Sequence, residues 1–291
     1  MALRDWLNYA EQRFRAERLW FGHGTHGARD EAAWLLAHVL RLSHEALGRS
    51  LARELTTRER HRAARLIDER VRTRRPLAYL IQEAWLGERR FHVDERVVVP
   101  RSFIAELLRD RLTPWVSRPE EVRRALDLCT GSGCLAILFA LAFPRATVDA
   151  SDVSRGALAV ARRNVRTYRL GRRVRLSAAN LYAGLKPARY DLILANPPYV
   201  DSRAMRTLPR EYRHEPRLAL AGGEDGLRFV RRILKGAAKF LRPRGLLVVE
   251  IGHHRGRLER AFPQLPFVWP ATSAGDDCVF LLSREDLPES P

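Results

Sequence analysis

Residues 124–143 read RALDLCTGSGCLAILFALAF, and this stretch decides the fold class. A short apolar segment is followed by Gly131 and Gly133 and then by a longer apolar segment that Pro144 ends. This order is typical of a buried strand, a tight glycine turn and a helix whose free N–H groups point at a ligand. The stretch therefore predicts the first strand, loop and helix of a parallel sheet.

The sequence after this stretch continues to alternate between strand and helix patterns. Apolar, β-branched runs separated by helical segments are typical of a parallel sheet covered on both faces, so we predict an α/β Rossmann-like domain. Seven strands are predicted, at residues 124–129, 147–152, 174–178, 190–195, 245–251, 267–269 and 278–282, with helices at 135–143, 155–168 and 227–241.

The first part of the chain has another pattern. Apolar residues recur at spacings of three and four, as at Trp6, Leu7, Ala10 and Phe14, which predicts helices. From residue 84 to Pro100 apolar and polar residues alternate, which predicts a β-hairpin. We therefore predict a small helical domain at 1–83, a connecting β-hairpin at 84–100 and the α/β domain at 101–291.

The composition is strongly basic. The 291 residues include 52 Lys and Arg against 34 Asp and Glu, a net charge of +18. Such a balance favours a polyanionic partner. Because 49 of the 52 basic residues are arginine, genome composition is an equally good explanation. The densest run, seven arginines between Arg162 and Arg175, is predicted to be the solvated face of a helix and the loop after it.

Several protein classes are excluded by the sequence. Three cysteines are too few and too scattered for a disulfide framework or a four-ligand zinc site. No apolar run approaches the roughly 18–20 residues of a membrane helix, and the charged first segment is not typical of a secretory signal. The pairs His23/His26 and His253/His254 lack further ligands nearby and are predicted to be loop residues. We expect a cytoplasmic protein with no metal and no membrane contact.

The glycine loop has an acidic partner. Asp152 lies 21 residues after Gly131, at the end of the second predicted strand, where a carboxylate can accept hydrogen bonds from two ribose hydroxyls. The loop lacks the third glycine of dinucleotide-binding motifs, so the pattern favours S-adenosylmethionine over NAD. An ordinary tight turn is the alternative.

A second motif, Asn196-Pro-Pro-Tyr199, directly follows a predicted strand. The two prolines stiffen the backbone and remove two N–H donors, which leaves carbonyl oxygens free to accept. With the side-chain oxygen of Asn196 and the ring of Tyr199, the turn suits a planar NH2 group on an sp² carbon. A proline-rich turn that merely closes a strand is the alternative. Both motifs fall at strand carboxyl ends, where such sheets bind ligands.

With these motifs the chain resembles the protein-(glutamine-N5) methyltransferases over nearly its whole length. The resemblance also includes the stretches RPLAY at 75–79, FHVD at 91–94, VPRS at 99–102, Glu215-Pro216 and GGEDG at 222–226. Residues 21–25, 99–107 and 211–216 resemble the branch that modifies large-subunit ribosomal protein number three. The release-factor branch usually has PRxxTE where this chain has PRSFIAE at 100–106.

The resemblance implies a fold, a cofactor and site residues. It implies a seven-stranded class I methyltransferase domain that uses S-adenosylmethionine. Because every cofactor and amide motif lies after residue 126, we expect the helical domain, with the hairpin, to select the substrate. The implied cofactor-binding residues are Asp127, Cys129, Thr130, Gly131, Ser132, Gly133, Asp152, Asn180, Leu181 and Asn196, and the implied catalytic residues are Asn196, Pro197, Pro198 and Tyr199. Asn180 replaces the usual aspartate, and its carbonyl can still accept from the adenine amino group. Cys129 is expected to pack against the ligand rather than act as a nucleophile.

The predicted function is methyl transfer from S-adenosylmethionine to a glutamine side-chain nitrogen in that ribosomal protein, met on assembling ribosomal RNA. Three alternatives remain open at this stage. They are a release-factor glutamine methyltransferase, a nucleic-acid adenine or cytosine amino methyltransferase that flips its base, and a non-catalytic RNA-binding protein on the same scaffold.

Overall fold

An N-terminal helical region precedes an α/β sheet domain in the computed structural model, which describes residues 1–186 and 188–288. The helices are α1 (Leu3–Ala16), α2 (Ala28–Leu40), α3 (His44–Arg49), α4 (Thr57–Thr73), α5 (Leu77–Ile81), α6 (Ile104–Arg109), α7 (Cys134–Ala142), α8 (Arg155–Thr167), α9 (Ser202–Thr207), α10 (Arg228–Phe240) and α11 (Arg255–Ala261). The strands are β1 (Ala84–Leu86), β2 (Arg89–Phe91), β3 (Arg124–Leu128), β4 (Thr147–Asp152), β5 (Val174–Ala178), β6 (Tyr190–Ala195), β7 (Leu241–Glu250) and β8 (Val279–Ser283).

The main sheet has the strand order β5-β4-β3-β6-β7-β8. Strands β3 to β7 are parallel, and β8 runs antiparallel to β7 at the edge. The chain moves outward from β3 in one direction through β4 and β5 and then in the other through β6 and β7. The switch between β3 and β6 opens a crevice at the carboxyl ends of the strands, which is the general ligand position in open α/β sheets.

The strand predicted at 267–269 is reduced to a single contact. Within the described residues the main sheet has six strands, and Val268 forms only an isolated antiparallel bridge with Leu281 of β8. The segment around it packs instead through its aromatic rings, because Phe267 and Trp269 both contact Phe280. The predicted α/β class is confirmed, with an edge that is held by ring packing rather than by a full ladder.

The helical region shares its core with the sheet domain. Helices α1, α2, α4 and α5 bury an apolar cluster that also contains Ala157 and Val160 of α8. The same buried face of α8 contributes Val165 to the cluster of the sheet domain. The predicted boundaries at 83 and 100 thus divide the chain by pattern, but the buried side chains are continuous across them.

The observed hairpin is shorter than the one predicted at 84–100. Strands β1 and β2 pair over three residues each around Gly87, and residues 92–100 continue without a ladder. Buried Asn164 of α8 fixes this segment: its Oδ1 accepts from the His92 N–H at 2.8 Å, and its Nδ2 donates to the carbonyls of His92 and Ser132. One side chain therefore ties the connector to the glycine loop.

Helix α4 begins at Thr57. Its N-cap is Thr56, whose hydroxyl accepts from the Glu59 N–H while the Glu59 carboxylate accepts from the Thr56 N–H. In the described part of the chain, no helix combines the length and the apolar character needed to cross a membrane.

Candidate active site

A cavity of about 500 Å³ opens at the sheet's switch point. The loops after β3, β4, β5 and β6 form its wall. The predicted site residues that line it are Cys129, Thr130, Gly131, Ser132, Asp152, Asn180, Leu181, Asn196, Pro197, Pro198 and Tyr199. The fold thus brings together two motifs that lie more than sixty residues apart in the sequence.

The glycine loop is bound to the end of β4. Gly131 has a φ of +54°, and its N–H donates to Asp152 Oδ2 at 2.9 Å. Asp152 Oδ1 accepts from the Ser154 N–H at 2.8 Å. Burial raises the pKa of Asp152. Each carboxylate oxygen keeps a second lone pair for a further donor, so Asp152 can hold the loop and a pair of hydroxyls at once.

Gly133 serves packing rather than the cavity wall. It caps α7 with a φ of +79°, and a Cβ at this position would lie 3.1 Å from the Ala161 Cβ of α8. The missing side chain lets the two helices approach closely. Gly133 was predicted to bind the cofactor, and the structure places it behind the loop.

Asp127 also lies behind the glycine loop. Its side chain is fully buried and accepts from the hydroxyl of Thr130, while burial raises its pKa to about 7. It does not line the cavity, although it was predicted to bind the cofactor. Its contact with Thr130 instead fixes the shape of the loop. Asp127 Oδ1 has no hydrogen-bond partner among the described residues.

Cys129 occupies the cavity wall with a positive φ of 57°. Burial raises the pKa of its thiol well above the ordinary value. A thiol that stays protonated at neutral pH is a poor nucleophile. The raised pKa argues against Cys129 as a nucleophile, and its packing against a ligand stays a prediction.

The turn after β6 presents acceptors to the cavity. Pro197 and Pro198 are buried, Asn196 is half-buried, and the Asn196 Nδ2 donates to Glu250 Oε1 at 3.2 Å. This bond uses the donor side of the amide, so the Asn196 Oδ1 is left for a ligand. The Pro197 carbonyl accepts no hydrogen bond from another described residue. Asn196 and Pro197 both line the cavity, and each has an acceptor oxygen without a partner among the described residues.

Glu250 is the functional residue that the sequence analysis missed. It ends β7, is 1% exposed, and its Oε2 accepts from the Ser102 hydroxyl at 2.6 Å and the Phe103 N–H at 2.9 Å. Burial raises its pKa to about 7 even though these donors and Arg101 oppose the rise. The sequence held a signal, because a carboxylate ending an apolar strand is the same feature that singled out Asp152.

Tyr199 is fixed by three glycines and a histidine. A Cβ would lie 2.8 Å from the Tyr199 ring at Gly252, 2.6 Å from the Tyr199 Cα at Gly222 and 2.5 Å from its carbonyl oxygen at Gly226. His254 Nε2 is 2.8 Å from the same carbonyl and carries the hydrogen, since a carbonyl can only accept. His254 was predicted to be a loop residue only, and it anchors the backbone of the turn.

A buried ion pair closes the far side of the cavity. Arg101, a lining residue, binds both carboxylate oxygens of Glu215 at 2.6 Å and lies over the Tyr212 ring. His23 comes within 3.7 Å of Glu215 and is 2% exposed, so burial lowers its pKa to about 4. The prediction that His23 lies in a loop is right, but its complete burial could not be read from the sequence.

The loop at 209–216 connects this ion pair to the helical region. Glu211 Oε1 accepts from Arg74 Nη1 at 2.7 Å and from the Trp20 N–H at 3.0 Å. Arg70, fully buried in α4, lies 3.8 Å from Glu211 and forms its main bond with Glu31 at 2.6 Å. Removing one partner of such a buried pair leaves an uncompensated charge, so this joint holds the two regions in one orientation.

One cluster outside the cavity has ligand-type side chains. The donor atoms of His253, Asp277 and Cys278 lie within 4.8 Å of one another, and His253 Nδ1 is 2.9 Å from Asp277 Oδ2. These contacts are satisfied by hydrogen bonds within the cluster, with Cys278 Sγ 3.3 Å from Asp277. That the protein needs no metal stays a prediction.

Comparison with known proteins bears on the whole chain. Residues 106–210 match the model of the methyltransferase small domain, and residues 5–81 match that of the PrmC N-terminal domain. A ribosomal protein uL3 glutamine methyltransferase of Bordetella pertussis is 54% identical over 98% of this chain and 96% of its own length. The protein of that name in Burkholderia pseudomallei is 51% identical over 98% and 95%.

A solved structure supports the fold alone. The hMettl16 catalytic domain in complex with the MAT2A 3′UTR hairpin 6 aligns with a TM-score of 0.54 and 16% identity, over 80% of this chain and 84% of its own.

The sheet order, the glycine loop with its acidic partner and the matched domain define an S-adenosylmethionine-dependent methyltransferase of class I. The cavity fits that cofactor. Its wall contains the glycine turn at Gly131, the Asp152 carboxylate with open lone pairs and an asparagine acceptor. At the level of the sequence, the chain belongs to the family of the ribosomal protein uL3 glutamine methyltransferases.

Proposed function

We propose that this protein methylates the side-chain amide nitrogen of a glutamine in ribosomal protein uL3. The observation that carries the proposal is that Asn196 and Pro197 line the cavity and that Asn196 Oδ1 and the Pro197 carbonyl have no partner among the described residues. The relatives that share more than half of the sequence bear the name of that activity. Bound S-adenosylmethionine supplies an electrophilic methyl group.

The chemical task is to make a poor nucleophile react. The lone pair of an amide nitrogen is delocalised, so the nitrogen must be held about 3–3.5 Å from the methyl carbon and in line with the breaking bond. Asn196 Oδ1 and the Pro197 carbonyl would accept the two NH2 hydrogens and stabilise the positive charge that grows on nitrogen. Tyr199 would hold the amide plane, and buried Pro198 keeps the turn stiff. The alkylated nitrogen is strongly acidic, so no base is needed before transfer.

Glu250 would act as a positioning residue for Asn196. A carboxylate can only accept, so the ionised Glu250 forces the Asn196 NH2 group toward itself. The Asn196 oxygen must then point into the cavity, where the substrate needs an acceptor. Ser102 and Phe103 hold Glu250 in place from the other side.

Cofactor binding is assigned to the opposite wall. Asp152 would accept from the ribose hydroxyls. The loop formed by Cys129, Thr130, Gly131 and Ser132 would lie against the cofactor. Asn180, exposed at the rim beside Leu181, would accept from the adenine amino group. Asp127 and Gly133 would act by shaping this loop.

Replacing Asp152 with asparagine should weaken S-adenosylmethionine binding at least about tenfold, because charge-assisted hydrogen bonds typically contribute about 1.5–3 kcal/mol each. The asparagine keeps the shape and one acceptor for the loop. Isothermal titration calorimetry measures the dissociation constant directly. An unchanged dissociation constant in a folded variant would exclude the ribose role.

The helical domain is proposed to select the substrate. It contacts the cavity through the loop at 209–216, where Glu211 meets Arg74 and Trp20 and Glu215 meets Arg101. A protein that docks on the helical domain can therefore be presented to the two acceptor oxygens in a fixed orientation. We further propose that the enzyme acts in the cytoplasm on uL3 that is bound to assembling ribosomal RNA.

Mass spectrometry of ribosomal proteins and release factors from cells that lack this chain tests the substrate. We expect one glutamine of uL3 to lose its methyl group while the release factors stay modified. Loss of the release-factor methyl group with uL3 unchanged would assign the chain to the other branch.

A further inference from the structure

One face of α8 is lined with arginine. Residues 153–190 include ten basic residues and no aspartate or glutamate. Arg155, Arg162 and Arg166 are separated by seven and four positions, so a helix places them on one side, and all three are exposed. The apolar side of α8 is fixed because Ala157 and Val160 are buried in the helical core. The arginines therefore face solvent permanently.

The hairpin extends this face beyond the helix. The Tyr168 hydroxyl donates to the Arg90 carbonyl at 2.8 Å, and Arg163 Nη1 lies 3.1 Å from His92 Nε2, which seats the hairpin at the end of α8. Arg89 and Arg90 are exposed there. We define the arginine face as the seven residues Arg89, Arg90, Arg155, Arg162, Arg163, Arg166 and Arg169, all of which are exposed.

The arginine face has almost no counter-charge of its own. Within the described part of the chain, Arg90 is its only member in an ion pair, with Glu83 at 3.3 Å. The neighbouring Asp94 is bound by Arg96 at 2.6 Å, and Glu88 is exposed at the hairpin turn. Elsewhere many surface arginines are paired, as Arg29 is with Glu11 and Arg231 with Asp225. Unpaired like charges repel one another, which favours an external polyanion.

An exposed aromatic ring lies within this surface. Trp85 is 43% exposed and stands directly across the β1–β2 ladder from Arg90. Arginines with an adjacent exposed indole are the combination that binds phosphates and stacks on an unpaired base. An anionic membrane is a poorer match, since the apolar side of α8 is buried in the protein and has nothing to insert into a bilayer.

We propose that the arginine face binds the phosphate backbone of RNA. Helix α8 begins beside Ser154, a residue of the cavity wall, and its 13 residues extend the face away from it. At 1.5 Å per residue the helix is roughly 20 Å long. RNA held on this face would therefore begin at the rim of the active site. The proposal rests on the proposed function only in taking this RNA to be the one that carries the ribosomal substrate.

The test compares two triple variants of the full chain. The first replaces Arg89, Arg162 and Arg166 with glutamine, which keeps the helix propensity. The matched control replaces Arg58, Arg65 and Arg72 of α4, which are also exposed and spaced by seven, but have Asp68 and Glu69 on the same helix. Fluorescence anisotropy of a labelled RNA hairpin, measured across a salt series, gives the affinity and its salt slope.

We expect the first variant to lose affinity about tenfold or more and its logarithmic salt slope to become shallower by about 2 to 3, since each phosphate contact contributes about 0.7–0.9. The control should match the wild type. Both variants should methylate RNA-free uL3 at the wild-type rate. If the wild type itself does not methylate uL3, the proposed function is contradicted, and the RNA-binding result stands by itself.

Three outcomes would overturn the proposal. Wild-type affinity and slope in the first variant would place RNA binding elsewhere. Slower methylation of RNA-free uL3 with unchanged RNA binding would make the face a protein-docking surface. Binding of the wild type to phosphatidylglycerol vesicles but not to the RNA hairpin would assign it to lipid and would equally contradict the proposal.

Discussion

Replacing Asn196 with alanine is expected to lower kcat by about 100- to 1000-fold, which is the usual cost of losing one contact that strengthens in the transition state. The side-chain oxygen is one of only two acceptors proposed for the substrate NH2 group, and the Pro197 carbonyl cannot replace it. The cofactor wall is formed mainly by the loops after β3, β4 and β5, so S-adenosylmethionine affinity should change little. Single-turnover kinetics with calorimetry separates the two effects.

The control for this result is the asparagine variant of Asp152, which should show the reverse pattern. It is expected to weaken cofactor binding and to leave the rate at saturating cofactor nearly unchanged. Full activity of the alanine variant of Asn196 would remove it from the reaction. Loss of cofactor affinity alone would make Asn196 a structural residue.

Replacing Glu250 with glutamine should lower kcat on the order of 100-fold, although the two side chains have nearly the same shape. The new amide can keep its contacts with Ser102 and Phe103 only through its oxygen, which turns its NH2 group toward Asn196. Asn196 must then reverse and present NH2 to the cavity. A donor would stand where the substrate needs an acceptor, so kcat should fall while cofactor affinity stays near the wild-type value.

Protonation of Glu250 should reverse the Asn196 amide as well, so the activity of the wild type should depend on pH. Burial raises the pKa of Glu250 to about 7, and only the ionised form is restricted to accepting from the Asn196 NH2 group. Below that pKa the protonated carboxyl can donate, which favours the reversed Asn196, so kcat/KM of the wild type should rise with pH through about 7 and level off above it. Arg101 favours the ionised form.

A second buried carboxyl provides the control for this pH dependence. The pKa of Asp127 is also raised to about 7, but its side chain lies behind the glycine loop and does not reach the cavity. The asparagine variant of Asp127 should keep the limb near pH 7, and the glutamine variant of Glu250 should lose it. Loss of the limb only in the Asp127 variant would contradict the role of Glu250.

The sequence predicted the parts of the site that lie within single motifs. Gly131 and Asp152 were found because a loop and a strand end have local signatures, and Asn196 and Tyr199 because two prolines after a strand are distinctive. The sheet was predicted for the same reason, since buried parallel strands are continuous apolar runs. The strand predicted at 267–269 was overestimated because the aromatic residues near Val268 pack as rings without forming a ladder.

The missed features all depend on contacts between distant segments. Glu250 meets Asn196 across 54 positions and Ser102 across 148, and Arg101 meets Glu215 across 114. No local pattern distinguishes these buried charges from the many exposed ones in so basic a chain. Asp127 was assigned to the cofactor because its motif position is correct, and only the fold shows that it lies behind the loop.

The most direct measurement is methylation in a purified system, with this protein, S-adenosylmethionine and isolated uL3, followed by peptide sequencing in the mass spectrometer. Release factor and ribosomal RNA are offered in parallel reactions. The predicted result is one methyl group on the side-chain nitrogen of a single uL3 glutamine, absent when Asn196 is replaced with alanine. A methyl group on the release factor or on an RNA base, with uL3 unmodified, would contradict it.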